Sequence, residues 1–316
     1  MKTLLVFSSL FIGFVRAACA QDDPSSHDAS FSKDGLFKAD VNTLTDTQLV
    51  VSPGMPLAPD KNVLWCGTLQ LAWNEAGKLV GEKMRFDRSS PAADLLNNGK
   101  FTRHDLDPAS YVAIADFERN HVEDEIRAAL EKTFHGAASP ELIPPVPVAP
   151  GPNDFVAYSY LYKNLAFDTP FLADAMTFHE KKVQDFGFGS DANAEQRRME
   201  TQIVDYLSSD DFIVQLRTKS PNDQLILAKI TPQETLAKTI EFALHRIQKA
   251  SPYAPDEADI LSVPMLNFDL RRDFNELVGL ICTPSAKAKI KGKLVFSQVK
   301  QLVRFQLNEK GAILKS

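Results

Sequence analysis

Six prolines fall within residues 139–152 (Pro140, Pro144, Pro145, Pro147, Pro150 and Pro152), and no other stretch restricts the fold so sharply. Each proline fixes φ and removes a backbone donor, so the segment sustains neither a helix nor an interior strand and favours an extended, polyproline-like path. Regular structure must therefore be built separately on either side of it. Such a connection either separates two domains or joins a helical part to a sheet within one domain, and composition leaves both arrangements open.

The hydrophobic period differs across this break. Before it, Leu69, Ala72, Trp73, Ala76 and Val80 recur at helical spacing through residues 67–81, with Gly81 as the stop. Asp107 followed by Pro108 is an N-cap and first-turn signal, and Tyr111, Val112, Ala115, Val122, Ile126 and Leu130 predict one longer helix. Its acidic run, Asp116, Glu118, Glu123, Asp124 and Glu125, reads as a solvated outer face. Residues 21–60 are polar, with Pro53, Pro56 and Pro59 late in the stretch, and predict a leader with little core of its own.

After the break the pattern is mostly that of a sheet. Residues 155–163 read as a strand, and Phe212, Val214 and Leu216 alternate before a turn at Ser220 to Asp223 and the apolar run 225–230, which predicts a hairpin. Thr231, Pro232 and Glu234 carry the pattern of an N-cap, first position and capping box for a helix whose apolar face is Leu236, Ile240, Ala243, Leu244 and Ile247. Leu266, Phe268 and Leu270 alternate again, Asp273 is placed to cap a short helix through Val278, and Val299, Val303, Phe305 and Leu307 fit a last long strand.

Residues 1–20 have the form of a cleavable export signal. Lys2 supplies the positive start, residues 4–15 are apolar, and Ala18, Cys19 and Ala20 give a small-x-small cleavage pattern. The run falls short of the roughly 20 apolar residues of a membrane span, and Ser8, Ser9 and Gly13 interrupt it. Secretion or periplasmic export is the expectation. Removing Lys2 and Arg16 leaves 33 basic against 41 acidic residues, 33 − 41 = −8, a balance that argues against nucleic acid as partner. Only Cys66 and Cys282 then remain, too few for a disulfide scaffold, so buried thiols and a fold resting on its apolar core are expected; the oligomeric state is not legible.

No catalytic constellation is present in the sequence. It has no glycine-rich phosphate loop, no nucleophile elbow, no helical pair of metal-binding histidines and no pair of cysteines at CxxC spacing. His104, Asp105 and Asp107 come nearest to a metal set, but Asp107 has a capping role. His121 beside Glu123 and Asp124, and His179 beside Glu180, read as surface pairs, and Cys66 beside Trp65 reads as a structural thiol on a helix start. No enzymatic activity, cofactor or metal is expected.

Taken in order, the later elements resemble a serpin. Residues 294–312 resemble the strand that leads into the serpin reactive-loop hinge, with Asn308, Glu309, Gly311 and Ala312 as the hinge-like segment. Residues 261–268, the turn region 273–280, the hairpin 212–230, the strand from Tyr158 and the strand and helix 62–81 match further elements, so the resemblance spans residues 62–316. Two departures stand out. Trp65, Cys66, Gly67 and Thr68 replace the Ser-Pro-x-Ser-like start of the buried helix, and Tyr158 with Ala166 or Phe167 replaces the usual Asn and Trp of the central strand. The resemblance implies an α+β fold, with N-terminal helices, a large mixed β-sheet and a second smaller sheet, over residues 61–316 as a domain incomplete at its C-terminus. It implies a protease inhibitor family scaffold with a secreted protease as the partner class. Inhibitors of that family insert a cleaved loop as a new strand in the main sheet. Here the hinge-like stretch would bury Ala312 and Leu314, the bulk of Leu314 should slow that insertion, and the chain reaches Ser316 without a reactive bond. The expectation is a secreted serpin-like protein that is non-inhibitory or truncated, with a long strand at 302–308 central and buried on both sides. The alternative is a secreted α+β binding protein unrelated to serpins.

Overall fold

The computed structural model describes residues 36–58, 60–136, 151–178, 180–189, 193–286, 288, 290 and 292–316, together with three backbone strands nearer the N-terminus. Most of the proline segment, the cleavage pattern at Ala18 to Ala20 and His179 lie outside the described residues. In chain order the strands and helices are β1 (Thr3–Ser8), β2 (Leu10–Val15), β3 (Ser30–Phe31), β4 (Phe37–Asp40), β5 (Thr47–Leu49), β6 (Asn62–Cys66), α1 (Thr68–Val80), α2 (Pro91–Asn97), β7 (Tyr111–Phe117) and α3 (Val122–Phe134). There follow β8 (Phe155–Ala166), β9 (Leu172–Phe178), β10 (Lys181–Phe188), α4 (Ala194–Met199), β11 (Thr201–Ser208), β12 (Asp211–Leu216), β13 (Leu225–Ile230) and α5 (Leu236–Lys249). The last are β14 (Leu261–Pro264), β15 (Leu266–Asp273), β16 (Ile281–Cys282), β17 (Leu294–Val295), β18 (Lys300–Asn308) and β19 (Gly311–Lys315).

The chain is α+β. One seven-stranded sheet has the order β11-β12-β13-β1-β2-β6-β5 and a second the order β3-β4-β15-β18-β19-β8-β7, with smaller sheets β14-β10-β9 and β16-β17. Two compact units share the chain: one holds residues 1–66, 163–270 and 303–314, the other residues 67–162, 271–302 and 315–316. The proline segment therefore does not mark a boundary between them, since the residues on both sides of it, through Tyr162, belong to one unit.

In the first unit, β12 and β13 form the expected hairpin, with Phe212 opposite Lys229 and Leu216 opposite Leu225. The run Leu225 to Ala228 is buried without alternation, because both faces of this strand are covered. Helix α5 is tied to the sheet by Arg246, which reaches Asp205 of β11 at 2.6 Å and Asp211 of β12 at 2.5 Å. The helix starts later than its capping-box signal predicts. Thr235, not Thr231, caps it by accepting from the Lys238 amide at 3.1 Å. The residues before it are drawn off by residues 53–57: Leu57 N donates to Glu234 O and Ala237 N to Pro53 O, the latter satisfying a first-turn amide that has no partner within the helix. Leu244, expected on the apolar face, is exposed. The stretch read as a polar leader also contributes structure, since β5 pairs in parallel with β6 and Leu49, Val50 and Val51 are buried.

In the second unit, α1 ends as expected at Gly81, whose φ of 87° is left-handed. The single long helix expected from Tyr111 to Leu130 is instead two elements. Asp107 does cap, accepting from the Ala109 amide, but over a single 3₁₀ turn. Tyr111 to Phe117 then forms β7, in antiparallel register with Phe155 to Leu161 of β8, and only from Val122 does helix α3 begin. The reason is tertiary: Val112, Val122, Ile126, Leu130, Phe134, Val156, Tyr158 and Tyr160 close into one apolar cluster between helix and strands. The short helix expected after Asp273 is a run of hydrogen-bonded turns, with Leu277 N bonded to Phe274 O and Val278 N to Asn275 O, because Asp273 is still within β15.

The acidic run is not uniformly solvated. Glu123 is 2% exposed at the first turn of α3, and its side chain is hydrogen-bonded to Glu118. Desolvation, that bond, and the charges of Glu123 and Asp154 push the Glu118 carboxyl up from 4.5 to about 7. A folded-state value above the unfolded one means that this group stabilises the fold fully below about pH 4.5, and that the contribution is lost as pH rises through about 7. The midpoint of thermal unfolding should fall across that window. Glu118→Gln, which keeps the hydrogen-bonding capacity and cannot ionise, should flatten the fall and leave the variant the more stable of the two above pH 7; parallel profiles would contradict this assignment.

Candidate functional site

The hinge-like residues lie at the turn between β18 and β19. Along β18, Gln301, Val303, Phe305 and Leu307 are buried while Arg304 is exposed. The strand is thus central in its sheet as expected, but packed on one face instead of two. Asn308 closes the turn by accepting from the Lys310 amide at 2.9 Å. The turn carbonyls face outward to the chain following β8: Lys310 O accepts from Phe167 N at 3.0 Å and Glu309 O from Phe171 N at 2.8 Å.

Gly311 opens β19 with φ 141°, a conformation L side chains rarely adopt. A Cβ there would lie 2.8 Å from Ala166 Cα and closer still to the Leu165 carbonyl oxygen. Glycine is required by both conformation and space. Beyond it Ala312 and Leu314 are buried, as the alternating pattern predicts, and β19 is seated between β18 and β8. The bulk of Leu314 is accommodated in this arrangement.

In the second unit, Ser316 exchanges both backbone hydrogen bonds with Leu161, at 2.8 and 3.0 Å, the mark of antiparallel pairing. Its hydroxyl lies 2.7 Å from that of Thr68, which also accepts from Gln301 Nε2 at 2.7 Å, while Ser159 Oγ donates to Thr68 O at 2.6 Å. Four polar side chains thus converge at the first turn of α1. Sequence reasoning registered Thr68 only as part of a departure from the serpin pattern. The available signal was its hydroxyl at the head of an otherwise apolar helix face.

A second polar feature belongs to the first unit. Lys163, on β8, is 5% exposed and pairs with Asp223 at 2.7 Å, and Asp223 accepts in turn from Ser220 Oγ at 2.7 Å. This pair adjoins a polar cleft of about 660 Å³ lined by Asp168, Glu200, Arg217 and Asp223. Ser220 Oγ is bound to the carboxylate that pairs with Lys163, and neither His104 nor His121 is among the groups of either site. Asp105 is committed to a capping box with Thr102, Asp107 to Ala109 N, and His121 occupies a left-handed position before α3. Among the described residues no three side chains of the types that ligate metals come together. Cys66 and Cys282 are buried thiols, Cys66 at the end of β6 and not on a helix start, and burial pushes the Cys282 thiol up. What the arrangement can do is mechanical: it holds a strand inside a sheet.

Substitutions at Gly311 and at the Lys163–Asp223 pair test these arrangements. Gly311→Ala should cost roughly 1–3 kcal/mol through strain and the clash with β8, read as a lower urea midpoint. Lys163→Ala leaves Asp223 without its cation and should cost about 3–5 kcal/mol, whereas Lys163→Met with Asp223→Leu should recover most of the loss; equal losses in single and double variants would show that the pair is not coupled.

Solved structures similar to the chain include the cleaved form of the viral serpin CrmA (10% identity, 87% of this chain and 96% of that one, TM-score 0.48) and another structure of the viral serpin CrmA (10% identity, 78% and 89%, TM-score 0.45). Reaction loop cleaved lamprey angiotensinogen is similar at 12% identity, over 84% of this chain and 90% of that one, with TM-score 0.47. Ovalbumin from the emu, Dromaius novaehollandiae, is similar at 9% identity, over 78% and 80%, with TM-score 0.44. No protein-family model and no curated protein matches the sequence.

Proposed function

We propose that this chain is an exported, non-enzymatic protein of the serpin type that does not trap proteases. The supporting observation is the position of β19: the segment that resembles the reactive-loop hinge already lies as a strand between β18 and β8. A trap of this kind draws its work from the insertion of a strand into the sheet after cleavage. With Gly311 to Lys315 in that position, insertion releases no further free energy there. The order of the matching elements from residue 62 onward supports the family reading, and the composition of residues 1–20 supports export. The remaining role is that of a binding or storage scaffold in the compartment where secreted proteases act.

Incubation with serine and cysteine proteases of trypsin, chymotrypsin, elastase and papain type, followed by denaturing gels, should give digestion or no reaction, and no covalent complex. A band at the summed mass of chain and protease would overturn the non-inhibitory reading. An experimental structure with β18 at a sheet edge would overturn the family reading. Fusion of residues 1–20 to a reporter should carry the reporter out of the cytoplasm.

A further inference from the structure

The polar cleft of the first unit is walled by three stretches of chain: the residues after β8, the end of α4, and the connection from β12 to β13. Hydrogen bonds hold these stretches to one another. Arg217 N donates to Glu200 O at 2.7 Å, and Lys219 N donates to Ala166 O at 2.8 Å. Asp223 fixes the third stretch through its side chain, which accepts from Lys163 Nζ and from Ser220 Oγ at 2.7 Å each. The cleft's volume of about 660 Å³ falls within the roughly 300–1,000 Å³ of small-molecule sites.

The charges of this cleft are unmatched. Glu200 is only 9% exposed, yet among the described residues its carboxylate has neither an ion pair nor a hydrogen bond. A carboxylate buried without a partner is costly, and such a group calls for a donor from outside the chain. Thr218 Oγ1, in the same wall, is also buried without a partner. Asp168 and Arg217 are exposed and unpaired among the described residues, and Arg217 does not pair with Glu200 although their backbones are bonded. Asp223 is already answered by Lys163, which leaves two anions, Glu200 and Asp168, against one cation, Arg217. A simple anion would meet both carboxylates, and a metal would lack ligands, since among the described residues no three metal-binding side chains come together. The complement of the cleft is an organic molecule with two cationic groups and one anionic group.

We propose that the cleft binds a free basic α-amino acid, with arginine as the best fit. Its guanidinium pairs with Glu200, and the same planar set of five donors serves Thr218 Oγ1. Its α-carboxylate pairs with the guanidinium of Arg217, the geometry that guanidinium and carboxylate groups share, and its α-ammonium pairs with Asp168. The aliphatic stem lies along Met199, an exposed apolar side chain of the same wall. The ligand's single net positive charge matches the single negative charge left over in the cleft. The inference uses only this cleft and does not rest on the serpin reading.

Calorimetric titration of the full chain with arginine should show saturable binding of one molecule per chain, and arginine should raise the unfolding midpoint. Citrulline keeps the shape and loses the side-chain charge, agmatine lacks the carboxylate, and Nα-acetylarginine lacks the α-ammonium; each should bind about tenfold more weakly or worse. Glu200→Gln removes an unpaired buried charge, so it should fold, and its affinity for arginine should drop about tenfold or more. Arg217→Ala, at an exposed position, keeps the test open if Glu200→Gln does not fold: it should bind arginine and agmatine alike, which a structural role for Arg217 would not produce. The proposal is overturned by the absence of saturable binding at millimolar arginine, by citrulline binding as tightly as arginine, by an unchanged affinity in Glu200→Gln, or by a preference for arginine over agmatine that survives in Arg217→Ala. Equal binding of Nα-acetylarginine overturns the pairing with Asp168, and with it the free amino acid as ligand.

Discussion

The pairing of β19 with β8 is the constraint on which the second large sheet depends. A strand in a sheet interior must satisfy hydrogen bonds on both edges, and an unmade bond inside the protein costs more than a made one gains. At one end the amides of Phe167 and Phe171 find the carbonyls of Lys310 and Glu309; at the other, Leu161 and Ser316 exchange both bonds. Gly311 makes the approach possible, because any side chain there would collide with the backbone of Leu165 and Ala166. Removing the strand would leave donors on β8 and on the chain that follows it without partners.

The paired charged groups divide into two kinds. Lys163 with Asp223, and Arg246 with Asp205 and Asp211, are pairs of opposite charge in which each ion answers the desolvation of the other. Glu118 and Glu123 are the reverse, two acids hydrogen-bonded to each other, which is tenable only while one of them keeps its proton. The first kind holds a fixed geometry. The second makes the start of α3 respond to pH.

Local pattern made much of this legible. The β12–β13 hairpin and the helix 67–81 were readable because period and turn chemistry agreed with the final packing. The buried face of β19 was also readable, since alternation alone assigns Ala312 and Leu314 to one side. Reading failed where two local signals competed or where the partner is distant. Tyr111 to Phe117 satisfies a helical period but is rich in residues that suit a strand, and β8, distant in sequence, decides it. Thr231 and Thr235 both offer caps, and contacts from Pro53 and Leu57 selected the second. Glu123 looked solvated because its neighbours are, yet it is the one turned inward.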